Sequence, residues 1–264
     1  MFTLSKFAAV IALTFLLAAC VTSPYQGSMD PVPLLKAALP HITSTKVVVG
    51  LDPANSSNFI PVSQGNAGQQ YGLVGALVQT MIERSMNDAI QDQQRLMTPI
   101  RSAAIDFNFG SRFREQLEVS LKDIDWLHID YITKAPRFQR FLPGELQKDS
   151  SESAILVADT FYKMEEDFSK ITVSTNMVLI PNTPELHSIA SQQQAVKGEE
   201  NPVLARHQFS VSYPIEGDFV NRQLAAQEWA KDDAAMVRRA LKNGINDLTQ
   251  KISEYLKTTW IIVG

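Results

Sequence analysis

Between residues 170 and 179 the chain alternates. Ile171, Val173, Thr175, Met177 and Leu179 fall on one side, and Lys170, Thr172, Ser174, Asn176 and Val178 on the other. A period of two marks a strand with one face against a core, so Ser169–Ile180 is predicted as a strand, buried on one side and mostly wet on the other. Ile124–Ile132, Ala154–Met164 and Arg206–Ile215 are rich in β-branched and aromatic residues and are predicted as further strands. Ala154–Ala158 is apolar on both sides, which puts that strand inside a sheet. The short Glu165-Glu166-Asp167 link joins it to the next strand as an antiparallel hairpin. Nearer the start, Lys46–Asp52 (KVVVGLD), ended by Pro53, is predicted as a central strand.

Elsewhere the apolar period lengthens. From Tyr71 through Val74, Leu77, Val78, Met81, Ile82, Met86, Ala89, Ile90, Leu96 and Met97 it is helical, predicting a long amphipathic helix. Thr98 and Pro99 suit the cap and first turn of another helix over Ile100–Asp106, and Ser111 suits the cap of one ending near Lys122. Val237, Leu241, Ile245, Leu248, Ile252 and Tyr255 form one stripe on a last helix, about Trp229 to Lys257, which is predicted to pack on the sheet. Trp260–Val263 returns as a short final strand. Strand, helices, strand implies a right-handed parallel crossover, and the later strands an antiparallel meander. The expected fold is α/β: a single two-layer domain with a mixed sheet of about five or six strands and two long amphipathic helices.

Composition narrows the class. With 45% apolar and 20% charged residues the chain is globular, and its net charge of −4 leaves no electrostatic footprint for nucleic acid. The single cysteine lies in the first segment. There Lys6 precedes the apolar run Phe7–Leu17, small Ala18 and Ala19, and then Cys20, the pattern of an export signal. Its apolar core of 11 residues is well short of the ~20 that a helix needs to span a bilayer. The expected organisation is a signal peptide over 1–19, Cys20 with a flexible Pro-, Ser- and Gly-containing tether over 20–45, and a domain over 46–264.

Leu17-Ala18-Ala19-Cys20 resembles the lipobox of bacterial lipoproteins. That resemblance implies that Cys20 is acylated, palmitate among its acyl groups, and becomes the new N-terminus, so that the bilayer is a partner. More than one acyl chain makes a stable anchor. Val21 stands where lipoproteins retained at the inner membrane of enteric bacteria usually carry Asp, which implies the outer membrane, periplasmic face. A lipid-blocked Cys20 leaves no thiol for disulfides, so stability is expected to come from core packing. The order of elements resembles uncharacterised proteobacterial periplasmic lipoproteins and, more loosely, the small α/β domains of the curli secretion component and penicillin-binding-protein activators.

Candidate chemistry is sparse, and no catalytic residue, cofactor or metal ligand set is assigned. Gly65, Gly68, Gly72 and Gly75 lack the spacing of a phosphate-binding loop and are expected to let a helix approach the sheet. His128 and Asp130, two apart on a predicted strand, share a side with each other and with His187 or His207 offer two imidazoles and a carboxylate, but a solvated outer face explains them without a metal. Lys134–Glu145 interleaves Arg137 and Arg140 with Phe138 and Phe141, residue types favoured at binding hot spots, and these four are the candidate partner-binding residues. Pro181–Ala205 reads as a polar excursion. The expected function is a lipid-anchored periplasmic binding or assembly protein of the bacterial envelope, non-catalytic, docking an envelope protein or peptidoglycan. The alternative is a periplasmic enzyme or small-ligand binder with a site that carries no familiar motif.

Overall fold

The computed structural model describes residues 30–51, 91, 95, 97–134, 143–148, 150–165, 167–194, 202–217, 221–258 and 260–261. A five-stranded mixed sheet is built from β2 (Thr45–Leu51), β3 (Ile129–Lys134), β4 (Ala154–Met164), β5 (Lys170–Pro181) and β6 (Ala205–Pro214) in the order β3-β2-β4-β5-β6. β2 runs parallel to both β3 and β4, and β4, β5 and β6 form the antiparallel meander. β1 (Leu34–Leu35) and β7 (Trp260–Ile261) pair in parallel as a separate ribbon. The described helices are residues 97–106, α1 (Phe109–Leu121), α2 (Pro143–Lys148), α3 (Pro184–Gln194) and α4 (Arg222–Thr258). This is the expected single α/β domain with a mixed sheet.

Strand alternation decides which face the helices cover. Val47 and Val49 of β2, Leu156 and Ala158 of β4, Ile171, Val173 and Met177 of β5 and Phe209 of β6 join one buried cluster with Phe113 and Leu117 of α1 and Leu241, Ile245, Leu248 and Ile252 of α4. Within it the hydroxyls of Thr160 and Thr175 bond across β4 and β5 at 3.0 Å, so neither is left unpaired. The opposite face carries a smaller cluster of Val48, Ile155, Val157, Val178 and Ile180. On the outer side of β5, Lys170, Thr172 and Asn176 are therefore only half-buried, whereas Ser174, Val178 and Ile180 are buried, so this face is drier than expected. The terminal helix lies on the sheet as predicted and approaches it closely at Gly244: a Cβ added there would lie 2.6 Å from Val173 Cγ2.

Several boundaries differ from expectation, each for a packing reason. The stretch expected as tether up to residue 45 is folded from about residue 30. Val32, Leu34, Leu35, Ala38 and Ile42 are buried, a 3-10 turn covers Lys36–His41, and Val32 bridges Arg206. Helical residues run through Thr98 and Pro99 because Met97, Ile100, Ala103 and Ala104 make one buried face. α1 starts at Phe109, not after Ser111, since Phe109, Phe113, Leu117 and Leu121 are its buried stripe, and left-handed Asn108 (φ 50°) precedes it. The predicted strand over Ile124–Ile132 begins only at Ile129. Asp125–Leu127 form a 3-10 turn that buries Leu127, and His128 (φ 41°) turns the chain into β3.

The last helix starts at Arg222, ahead of the predicted Trp229, and is broken: Lys231 is extended and Asp232, Asp233 and Ala234 are left-handed. The final strand pairs with β1, not with the main sheet. Pro181–Ala205, expected as a polar excursion, contains α3 and the buried Val203 and Leu204. The long helix predicted from Tyr71 and the glycines Gly65, Gly68, Gly72 and Gly75 lie outside the described residues, apart from the helical positions 91, 95 and 97.

Candidate functional site

The residues proposed from sequence do not converge among the described ones. Cys20, Arg137, Phe138, Arg140 and Phe141 lie outside them. His128 sits before β3 rather than on it, so it does not share a strand face with Asp130, and both are exposed. His187, on α3, has its Nε2 3.4 Å from the Gln147 amide nitrogen. His207 stacks on Tyr255 at 4.8 Å between ring centroids and lies 4.5 Å from Phe209. Among the described residues no group of three His, Cys, Asp or Glu side chains is placed to hold a metal ion.

The His207 stack carries a pH prediction. Burial pushes its imidazole pKa below the ordinary 6.5, so the folded chain binds fewer protons than the unfolded one as the pH falls. This contribution is intact above the unfolded imidazole pKa and is lost as pH falls through the lower, folded value. His207→Gln is expected to lose less stability than the parent between pH 7.5 and 5, read as urea midpoints at each pH. Equal losses would remove the role given to His207.

A different feature was not singled out from sequence. Beside the open edge of the sheet, β6 and α4 enclose a groove of about 470 Å³ lined by Ser210, Val211, Ser212 and Tyr213 on the strand and Asp247, Gln250, Lys251 and Glu254 on the helix. The helix residues fall three or four apart, so they share its outer face. Each looks like an ordinary solvated position until the strand order makes β6 an edge.

The edge has a readable polarity. Arg206 accepts from and donates to the backbone of Val32, both at 2.8 Å, so its main chain faces away from β5. By the alternation of an antiparallel strand, Gln208, Ser210 and Ser212 present their N–H and C=O groups outward as well. All three residues are exposed, and among the described residues no strand pairs with them on that side.

Two ties fix the groove walls. Tyr213 donates its hydroxyl to Asp247 Oδ2 at 2.6 Å, and burial together with the Asp247 carboxylate pushes the phenol pKa well up. Lys251 Nζ lies 3.4 Å from the Ser210 carbonyl, which it reaches as a donor. Glu254 accepts from the Gln250 amide at 2.8 Å. The arrangement offers main-chain hydrogen bonds along one wall and two carboxylates and one ammonium along the other. That suits recognition of an extended chain.

No family model matches this sequence, and no curated protein matches it. Among solved structures it aligns with the crystal structure of a putative lipoprotein from Caulobacter crescentus CB15, at 15% identity over 58% of this chain and 86% of that one. The TM-score is 0.21, too low for the likeness to carry an argument.

Proposed function

We propose that this chain is a lipid-anchored binding or assembly protein of the bacterial envelope, acylated at Cys20 and held at the periplasmic face of the outer membrane. The anchor rests on Leu17-Ala18-Ala19-Cys20 behind a short apolar run. The binding role rests on one geometric observation: among the described residues no strand pairs with the outer edge of β6 at Gln208, Ser210 and Ser212, which faces the polar wall of α4. Natural sheets ordinarily blunt or cover such an edge because it is a template for another chain. Arg137, Phe138, Arg140 and Phe141 are proposed as a second contact with an envelope protein or peptidoglycan.

Mass measurement of the mature N-terminal peptide tests the anchor. Acyl chains on Cys20 are expected, and Cys20→Ser is expected to release the protein from the membrane fraction. An unmodified Cys20 would overturn the anchoring. Photocrosslinking in cells from Phe138 and Phe141 tests the second contact, with a discrete envelope adduct expected. Adducts confined to bulk lipid would overturn it.

A further inference from the structure

We propose that the groove between β6 and α4 takes up an extended basic segment of a partner protein, which adds as a sixth strand along Gln208, Ser210 and Ser212. The inference deepens the binding role above and rests on it. Its first support is the backbone itself. Three alternate residues of β6 offer outward N–H and C=O pairs, a spacing that the main chain of an extended peptide matches regardless of its side chains. The second is continuity. The protein already uses this edge once, at Arg206, where the backbone of Val32 is held by two bonds of 2.8 Å. An added strand extends the same edge from that point.

Charge selects among peptides. Asp247 and Glu254 on the helix wall outnumber Lys251, and all three side chains are exposed. A peptide carrying Lys or Arg at alternate positions brings those charges toward the two carboxylates while its backbone pairs with β6. Lys251 opposes entry in two ways. It repels a basic residue, and its ammonium covers the Ser210 carbonyl that an incoming N–H needs. Entry therefore requires Lys251 to swing aside, which a long flexible side chain does readily.

The test uses the full mature lipoprotein in detergent and a nine-residue capped peptide alternating lysine with valine and threonine, beside an otherwise identical peptide with glutamate for lysine. Ser212→Pro removes one outward N–H while leaving the β5–β6 backbone ladder intact, because proline is tolerated on an edge when its nitrogen faces away from the neighbouring strand, and it gives up only the exposed hydroxyl bond to Thr172. Binding of the basic peptide is expected to weaken about tenfold in Ser212→Pro with the thermal midpoint nearly unchanged, the loss of one or two net hydrogen bonds. Lys251→Gln is expected to tighten it by about threefold, and Glu254→Gln to weaken it by a similar factor. Amides of Gln208, Ser210 and Ser212 are expected to slow in hydrogen exchange when the peptide is present.

Equal affinity of Ser212→Pro and parent, or equal binding of the glutamate peptide, overturns the proposal. So does a dimer of the protein that Ser212→Pro dissolves while neither peptide binds, since the occupant is then a second copy. The anchor is read separately. Peptide uptake by a chain with unmodified Cys20 overturns the anchor alone, and an acylated chain that ignores the peptide overturns the groove alone.

Discussion

Trp229→Ala is expected to destabilise the domain by about 4 kcal/mol, the range for emptying a fully buried aromatic site. Trp229 is 0% exposed, and its indole N–H donates to the carbonyl of Phe168 at 2.8 Å. Phe168 is itself fully buried, although it holds φ 61° in the turn that joins β4 to β5. Such a backbone is uncommon for a bulky residue and persists only where surroundings over-determine it. The Arg222 guanidinium lies over the Phe168 ring, 5.5 Å from its centroid. The indole thus locks the hairpin turn to the first part of α4.

Trp229→Phe separates the two contributions. It keeps much of the volume but strands the Phe168 carbonyl, and a loss of about 1–3 kcal/mol is expected. Both variants are measured by urea unfolding, with hydrogen exchange over residues 165–170 and 222–230 expected to rise in each. A Trp229→Ala midpoint within about 1 kcal/mol of the parent would show that the hairpin turn holds without this clamp.

Gly244 carries the second large effect, because the helix and the sheet touch there. A methyl group at this position would meet Val173 Cγ2 at 2.6 Å, Val173 Cβ at 3.1 Å and Tyr213 Cε2 at 3.4 Å. Rotating the valine moves Cγ2 but not Cβ, so part of the clash is relieved only by shifting the helix. Overpacking of this kind costs about 1–3 kcal/mol, against about 1 kcal/mol that alanine gains over glycine in a helix. A net loss of about 1–2 kcal/mol is therefore expected for Gly244→Ala, and more for Gly244→Val.

Relief of the Cγ2 clash makes the test specific. In a Val173→Ala background Cγ2 is gone and only the 3.1 Å approach to Cβ remains, so Gly244→Ala is expected to lose most of its cost, with a coupling of about 2 kcal/mol in the double-mutant cycle. An increase in stability from Gly244→Ala alone would show that helix and sheet are not in contact at this point. Movement of α4 away from β5 would also widen the β6 groove, so the same variant is expected to alter peptide uptake there.

The strands were legible because their signal is local. Alternation in β5 and the two-sided apolar run at Ala154–Ala158 each needed only a few consecutive residues, and β4 does occupy the middle of the sheet. Elements defined by distant partners were not legible. Leu34 and Leu35 are two residues among prolines, and they become a strand only because Trp260 and Ile261 lie beside them. The break in α4 has no Gly or Pro to announce it; Asp232 and Asp233 are weak helix formers and suit a cap, but a pair of aspartates alone does not mark a break. The groove was invisible for a related reason. Ser210, Ser212, Gln250 and Glu254 each read as solvated positions, and only strand order shows that a backbone with no strand partner among the described residues runs between them. Convergence of His128 and Asp130 failed on one residue, because the left-handed His128 ends a turn instead of extending a strand.

The β1–β7 ribbon has a consequence for how the molecule comes to exist. Leu34 and Leu35 pair with Trp260 and Ile261, which lie beyond all five strands of the main sheet and α4 in chain order. Closing so large a loop is entropically slow. Until it closes, Leu34 and Leu35 lack their strand partner, so the ribbon is expected to form only after the main sheet has brought its two ends together.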